Sequence, residues 1–225
     1  MIIKKFDYKA IKRIDSNGKR LYATPDGKAV PSVTTILNAT KDKTFLYEWK
    51  RKVGIKKATE ITTEAASIGT RMHKYLENYI ESDTWPSSGK NPYAQQACKM
   101  AEVIKENALS QIDEIWGSEI NLWMPQIYAG TTDLVAVFRG SPSICDFKQS
   151  NKLKKEEWIE DYFLQLVAYA EAHNELYKTD IKEGHVFVCT RNLEYQQFDI
   201  WPDQYAKWKH EWYERLYTYY AAHDR

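Results

Sequence analysis

From residue 114 the apolar residues of this chain stop recurring at helical spacing. "EIWGSEINLWMP", "YAGTTDLVAVF" and "SICDFKQ" read instead as three strands joined by short turns. A meander of that kind needs cover, and the flanking segments supply it. "TFLYEWKRKVG" reads as a helix ended by Gly54. A long helix is expected over 59–82, with an apolar stripe of Ala65, Gly69, Met72, Leu76 and Tyr79, and another over 93–110. A helix over 154–178 crosses to two further strands, "GHVFVCTR" and "EYQQFDI", and an aromatic-rich helix from 203 follows. Helices around a meander, a crossover helix and more strands define an α/β fold with a central mixed sheet flanked by helices. The 225 residues suit one domain. Residues 1–57 would form a basic N-terminal hairpin and helices, and 58–225 the core and C-terminal helix. Turn signals at Asn17-Gly18 and Asp26-Gly27 mark the hairpin, and Ser32 in "VPSVTTIL" is placed to cap a short helix.

Charge is unevenly spread. The net charge is +1, yet residues 1–57 hold 15 Lys or Arg against 5 Asp or Glu, so a basic N-terminal portion faces an acidic remainder. Such a portion could track a phosphate backbone, with Phe45, Tyr47 and Trp49 stacking bases; the alternative is a solvated basic face with those aromatics in the core. No apolar run approaches the roughly 18 residues of a membrane span, and the start carries no secretory signal, so the chain is expected to work in the cytoplasm where it is made. Cys98, Cys145 and Cys189 lack the paired spacing of a zinc site or a disulfide framework and read as free thiols.

The chemistry concentrates in the meander. Asp133 and Asp146 flank a turn near Arg139-Gly140, so antiparallel pairing brings the two carboxylates together. Lys148 shares a strand face with Asp146, and Phe147 takes the other face. Two carboxylates at that distance need a cation or a shared proton, so a hard metal ion such as Mg²⁺ is a natural explanation, with Lys148 positioned to orient or activate a water. A surface hairpin with an ordinary Asp–Lys pair is the alternative. Gln165 interrupts an apolar helix face running Trp158, Tyr162, Tyr169, Ala172, Leu176, one turn from Tyr169, so both can reach one site. His73 follows Gly69 by one turn, where a missing side chain admits another element.

"GTRMHKYLE", "YAGTTDLVA", "CDFKQS" and "QLVAYAEA", in that order, resemble the motifs of the PD-(D/E)XK nuclease superfamily in its RecB-like exonuclease branch. "VPSVTTIL" resembles a segment of mitochondrial genome maintenance exonucleases and their phage relatives. The resemblance spans roughly residues 31 to 170. It implies a restriction-endonuclease-like fold in a single nuclease domain. Asp133 and Asp146 would bind the divalent metal with the Phe147 backbone carbonyl, and His73 would add a ligand. Glu119 resembles an acidic residue of the preceding strand. Lys148 would orient or activate the attacking water, and Gln165 and Tyr169 would position the site and the DNA backbone. The four cysteines by which some relatives hold an iron–sulfur centre are not evident. An imidazole ligand makes Mn²⁺ acceptable beside Mg²⁺.

The expectation is a metal-dependent DNA exonuclease in phage or bacterial recombination, replication or repair, acting on single strands somewhat in preference to duplex. A recombination or single-strand-binding protein is a possible partner. The competing readings are a catalytically silent DNA-binding module, a protein-interaction domain and a structure-specific endonuclease.

Overall fold

Two turn signals and short alternating runs fold the basic N-terminal stretch into a small sheet of its own. In the computed structural model, which describes residues 2–16 and 18–223, β1 (Lys12–Ser16), β2 (Lys19–Ala23) and β3 (Ala29–Pro31) pair antiparallel. Asn17, the first half of the expected Asn17-Gly18 turn, lies outside the described residues. Arg13 stands opposite Tyr22, and Arg20 is two residues from Tyr22; strand alternation therefore puts all three on one face. The Ser32 side chain accepts the Thr35 amide at 3.0 Å and caps α1 (Val33–Thr40), as expected.

Helices α2 (Thr44–Val53) and α3 (Ile55–Ser82) meet at Gly54, so α3 starts four residues earlier than the sequence indicates. Its buried residues include Ile68, Met72, Tyr75, Leu76 and Ile80, a stripe wider than expected, with Ala65 and Tyr79 only half-buried. The cause is that α3 packs on two neighbours, α4 (Pro92–Asn107) and the sheet. Asn91 caps α4 through the amides of Tyr93 and Ala94, with Pro92 at its first position.

The meander forms as read: β4 (Ile112–Met124), β5 (Tyr128–Phe138) and β6 (Ser141–Ser150) pair antiparallel in sequence order. The next helix, α5 (Glu160–Tyr177), begins six residues later than expected. Lys154 is tied through its amide and carbonyl to the Gln196 side chain, at 2.7 and 3.0 Å. The chain therefore turns helical only after clearing the sheet, and Trp158 sits in an exposed 3-10 turn instead of on a helix face. The middle of α5 is buried on nearly every side, because the helix lies between the sheet and other helices. Past it come β7 (Glu183–Thr190), β8 (Tyr195–Ile200) and α6 (Pro202–His223). The five-stranded sheet runs β4-β5-β6-β7-β8. β6 and β7 are parallel and joined over α5, while the other pairs are antiparallel, so the sheet is mixed.

Alternation divides the core in two. Leu134, Ala136, Cys145, Phe147, Phe187 and Cys189 meet α3 and α4; Val135, Ile144, Val186 and Val188 meet α1, α5 and α6. Asp146 and Lys148 share the parity of Ile144, and Asp133 that of Val135, so all three belong to the α5 side. Ser143, His185 and Asp199 mimic a nucleophilic triad, with His185 Nε2 at 3.2 Å from Ser143 Oγ and Nδ1 at 2.7 Å from Asp199 Oδ1. Ser143 is fully buried and donates to the Ser141 carbonyl, so the network ties β6, β7 and β8 and offers no nucleophile. None of the described helices is long and apolar enough to cross a membrane.

Candidate active site

The two-residue Arg139-Gly140 turn sets Phe138 opposite Ser141, and the β5–β6 ladder then runs to Leu134 opposite Cys145. One step further the backbone pairing stops and a side chain takes over. Asp133 Oδ2 accepts the Phe147 amide at 2.8 Å, which fixes the carboxylate beside Asp146. Asp146 Oδ2 is in direct contact with Lys148 Nζ and has no hydrogen-bond partner otherwise. His73 reaches over from α3, its Nδ1 3.4 Å from Asp133 Oδ1.

Glu119 arrives by a less regular route. It lies in β4 between the Ser118–Leu134 and Ile120–Thr132 pairs with φ +49°, a left-handed conformation that costs a non-glycine residue about 1–3 kcal/mol. Donor atoms of His73, Glu119 and Asp133 all lie within 4.8 Å of one another. Two carboxylates and an imidazole at that spacing can share one cation, and the donor set suits a hard or borderline divalent ion.

Two glycines let the walls close. A Cβ on Gly130 would lie 2.6 Å from the Tyr169 hydroxyl, so the ring of Tyr169 packs directly on β5. A Cβ on Gly69 would lie 3.3 Å from Gln149 Cγ, which is the close approach that the spacing of Gly69 and His73 implies. The cavity they help enclose has a volume of about 640 Å³. Of the residues selected from sequence, His73, Glu119, Asp133, Asp146, Lys148, Gln165 and Tyr169 all line it. Phe147 is not among the lining residues: its ring is in the α3–α4 core, and its amide is held by Asp133.

The electrostatics follow from this crowding. Burial pushes the Asp146 carboxyl up to about 6, with Lys148 opposing and Asp133 adding to the rise. Burial acts the same way on Asp133, but His73, Lys148 and the Phe147 amide outweigh it and hold the group low, at about 2. His73 is raised to about 9, since the Asp133 charge overcomes the effect of burial. Burial and then Asp133 bring Glu119 up to about 7. Lys148 is raised too, because Asp146 and Asp133 more than offset its burial, so it stands as an ammonium.

Sequence reasoning missed part of the lining. Arg13, Arg20 and Tyr22 of the small sheet and Ser32 and Thr34 at the start of α1 also line the cavity. Arg13 is paired with Asp15 at 3.0 Å, whereas Arg20 has no carboxylate partner among the described residues. Strand alternation could have grouped Arg13, Arg20 and Tyr22, but nothing in the sequence says which surface that face meets.

No protein-family profile matches the chain. The chain is similar to mitochondrial genome maintenance exonuclease 1 of Mus musculus, at 26% identity over 189 residues, covering 79% of this chain and 55% of the relative. It thus spans about half the length of the curated relative it matches. A crystal structure of a candidate exonuclease from Eubacterium rectale overlaps 68% of this chain and 63% of its own, with a TM-score of 0.48 and 12% identity, and carries no argument at that level.

Proposed function

We propose that the chain is a divalent-metal-dependent DNA exonuclease of the PD-(D/E)XK type, in the RecB-like branch, a single nuclease domain acting in phage or bacterial DNA recombination, replication or repair. The observation that carries the reading is the convergence of Asp133, Asp146, Lys148, His73 and Glu119 in one cavity. The exonuclease activity of the mouse relative supports it.

Asp133, His73 and Glu119 would hold Mg²⁺ or Mn²⁺, with Asp146 adding an oxygen once drawn from Lys148. When bound, the ion lowers the pKa of a coordinated water and neutralises phosphate charge. Lys148, an ammonium against Asp146, is suited to orient that water and to hydrogen-bond a non-bridging phosphate oxygen as negative charge builds there. Water attacks phosphorus and gives up a proton to solvent, the bond to the departing sugar oxygen breaks, and that oxygen leaves with a proton from solvent. Gln165 hydrogen-bonds the Tyr169 side chain, and the pair fixes the wall against which the scissile nucleotide rests. A cavity of about 640 Å³ takes a nucleotide-sized group, which suits a single strand or a frayed end.

The test is degradation of end-labelled single-stranded, linear double-stranded and closed circular DNA with Mg²⁺, Mn²⁺ or EDTA, comparing the native chain with Asp146→Ala. Progressive loss from ends that requires metal and vanishes in the variant is the expected result. Cutting of closed circles would make the protein an endonuclease, and DNA binding with no hydrolysis in any metal would make it a silent binding module.

Arg20, a guanidinium without a carboxylate partner that lines the same cavity as Lys148, is placed to hold a substrate phosphate. Arg20→Ala should raise KM for single-stranded DNA about tenfold or more while kcat changes by less than about threefold, as for loss of a charged hydrogen bond made equally in ground and transition states. Steady-state kinetics on an end-labelled strand decide it, and an unchanged KM removes Arg20 from the substrate path.

A further inference from the structure

A second groove opens where the chain leaves β6, four residues beyond Lys148. Phe45 at the start of α2 is 80% exposed and Trp158 in the 3-10 turn is 49% exposed, and both line it with Leu153, Lys41, Lys152 and Lys154. Large aromatic surfaces left in water beside a cluster of lysines call for a partner. Lys152 and Lys155 place their ammonium groups 5.9 and 5.4 Å from the Trp158 ring centroid.

The groove's acidic residues are already engaged. Asp161 is paired with Lys41 and Arg215, Glu160 with Arg215 and Glu157 with Lys155, while Asp42 accepts from the Thr44 amide and hydroxyl. Lys152 and Lys154 have no carboxylate partner among the described residues. Burial first, then Lys41 and Lys152, pull the Lys154 ammonium below its ordinary pKa. The groove and the active cavity draw on one stretch of chain, with Lys148 lining the cavity and Lys152 the groove. Lys148 Nζ lies 5.3 Å from the Tyr162 ring centroid, and Tyr162 follows Trp158 by four residues.

We propose that this groove is a second DNA subsite that holds the part of a single strand still outside the cavity, with a base stacked on Trp158 or Phe45 and phosphates on Lys152 and Lys154. Unpaired cations beside exposed rings match the phosphates and bases of an unpaired strand. A peptide would leave the lysine cluster uncompensated. The assignment rests on the exonuclease reading for the identity of the strand, and it makes the protein a reader of strand length as well as of the terminal nucleotide.

The experiment uses the full chain with Trp158→Ala, Phe45→Ala and the double change K152E/K154E, all remote from the residues assigned to hydrolysis, with Trp158→Phe as the conservative control. Binding of a fluorescent oligothymidylate of about 20 nucleotides is followed by anisotropy in EDTA, and hydrolysis of that strand is compared with hydrolysis of a dinucleotide in Mg²⁺. Trp158→Ala should weaken binding of the long strand about tenfold and Trp158→Phe should restore most of it. K152E/K154E should lower the salt slope of binding by about 0.7 per lysine or more. Dinucleotide hydrolysis should stay at the native rate in every variant, with unchanged melting temperature. If the native chain cuts DNA and the variants bind and cut the long strand as it does, the groove is no subsite and the exonuclease reading stands. A loss equal on both lengths also overturns the subsite, as does a groove that takes a protein partner but leaves oligothymidylate binding unchanged. If the native chain neither cuts nor binds DNA, the exonuclease reading itself fails.

Discussion

On the proposed nuclease reading, Lys148→Met should leave a folded protein that hydrolyses DNA at least about a thousandfold more slowly than the native chain. Two losses combine. Removing a charged donor aimed at developing phosphate charge costs on the order of 10²–10³ in rate, and losing the group that orients the attacking water adds to it. Methionine keeps the length of the aliphatic stem, so the cavity wall survives. Asp146, which meets only Lys148 through its Oδ2, can take up a proton, since burial has already raised its carboxyl to about 6. That limits the cost to the fold, and the melting temperature should move little. Arginine is no substitute, because a planar fork does not fit where a compact ammonium sits between Asp146 and the Tyr162 ring. Single-turnover rates on an end-labelled strand with saturating Mg²⁺ are the measurement. A rate within about tenfold of native would show that Lys148 is only the structural partner of Asp146, whose pair is then worth little to chemistry.

The meander was legible because its chemistry is local. A two-residue turn at Arg139-Gly140 fixes the register of both strands, and that register brings Asp133 to Asp146. The parity that puts Phe147 in the core and Asp146 and Lys148 in the cavity follows from the same alternation. His73 was visible through Gly69, whose lack of a side chain is needed where Gln149 approaches. The alternative that would have put the basic-region aromatics in the core fails for Phe45 and Tyr47, which are exposed, while Trp49 is half-buried.

Other placements depend on long-range packing that leaves no local mark. Glu119 reaches the cavity by a left-handed residue within a bulged strand, and glutamate carries no preference for that conformation. Trp158 keeps helical spacing with Tyr162, so only the tether of Lys154 to Gln196, 42 residues away, reveals that the helix starts later. Arg20 shows the limit most clearly, because the hairpin's face is legible but its docking on the cavity that holds Lys148 is a tertiary fact.

Divalent-cation affinity should rise about a hundredfold between pH 7 and pH 9. The metal-free His73 is held protonated by Asp133 up to about 9, yet an imidazole binds an ion only when neutral. Each ion must therefore displace one proton from His73 across that range, a factor of about ten per pH unit. Glu119, at about 7, steepens the dependence below neutrality, and Asp133, ionised throughout, contributes nothing to the slope. The fold responds with the opposite sign. Because the folded-state pKa of His73 lies above its ordinary 6.5, its pairing with Asp133 stabilises the metal-free protein fully below pH 6.5, and that contribution is lost as pH rises through about 9. The low value of Asp133 reflects the same pair, so the effect counts once, at about 3 kcal/mol or less. Metal-free protein should thus lose stability over a window in which metal-saturated protein, with His73 neutral both folded and unfolded, holds level. Calorimetric titration with Mn²⁺ in buffers of different ionisation heat should register close to one proton released per ion near pH 8, and His73→Gln should abolish that release. An affinity flat from pH 7 to 9, or an unchanged slope in His73→Gln, would place the cation on Asp133, Asp146 and Glu119 and leave His73 as the counter-charge of Asp133 alone.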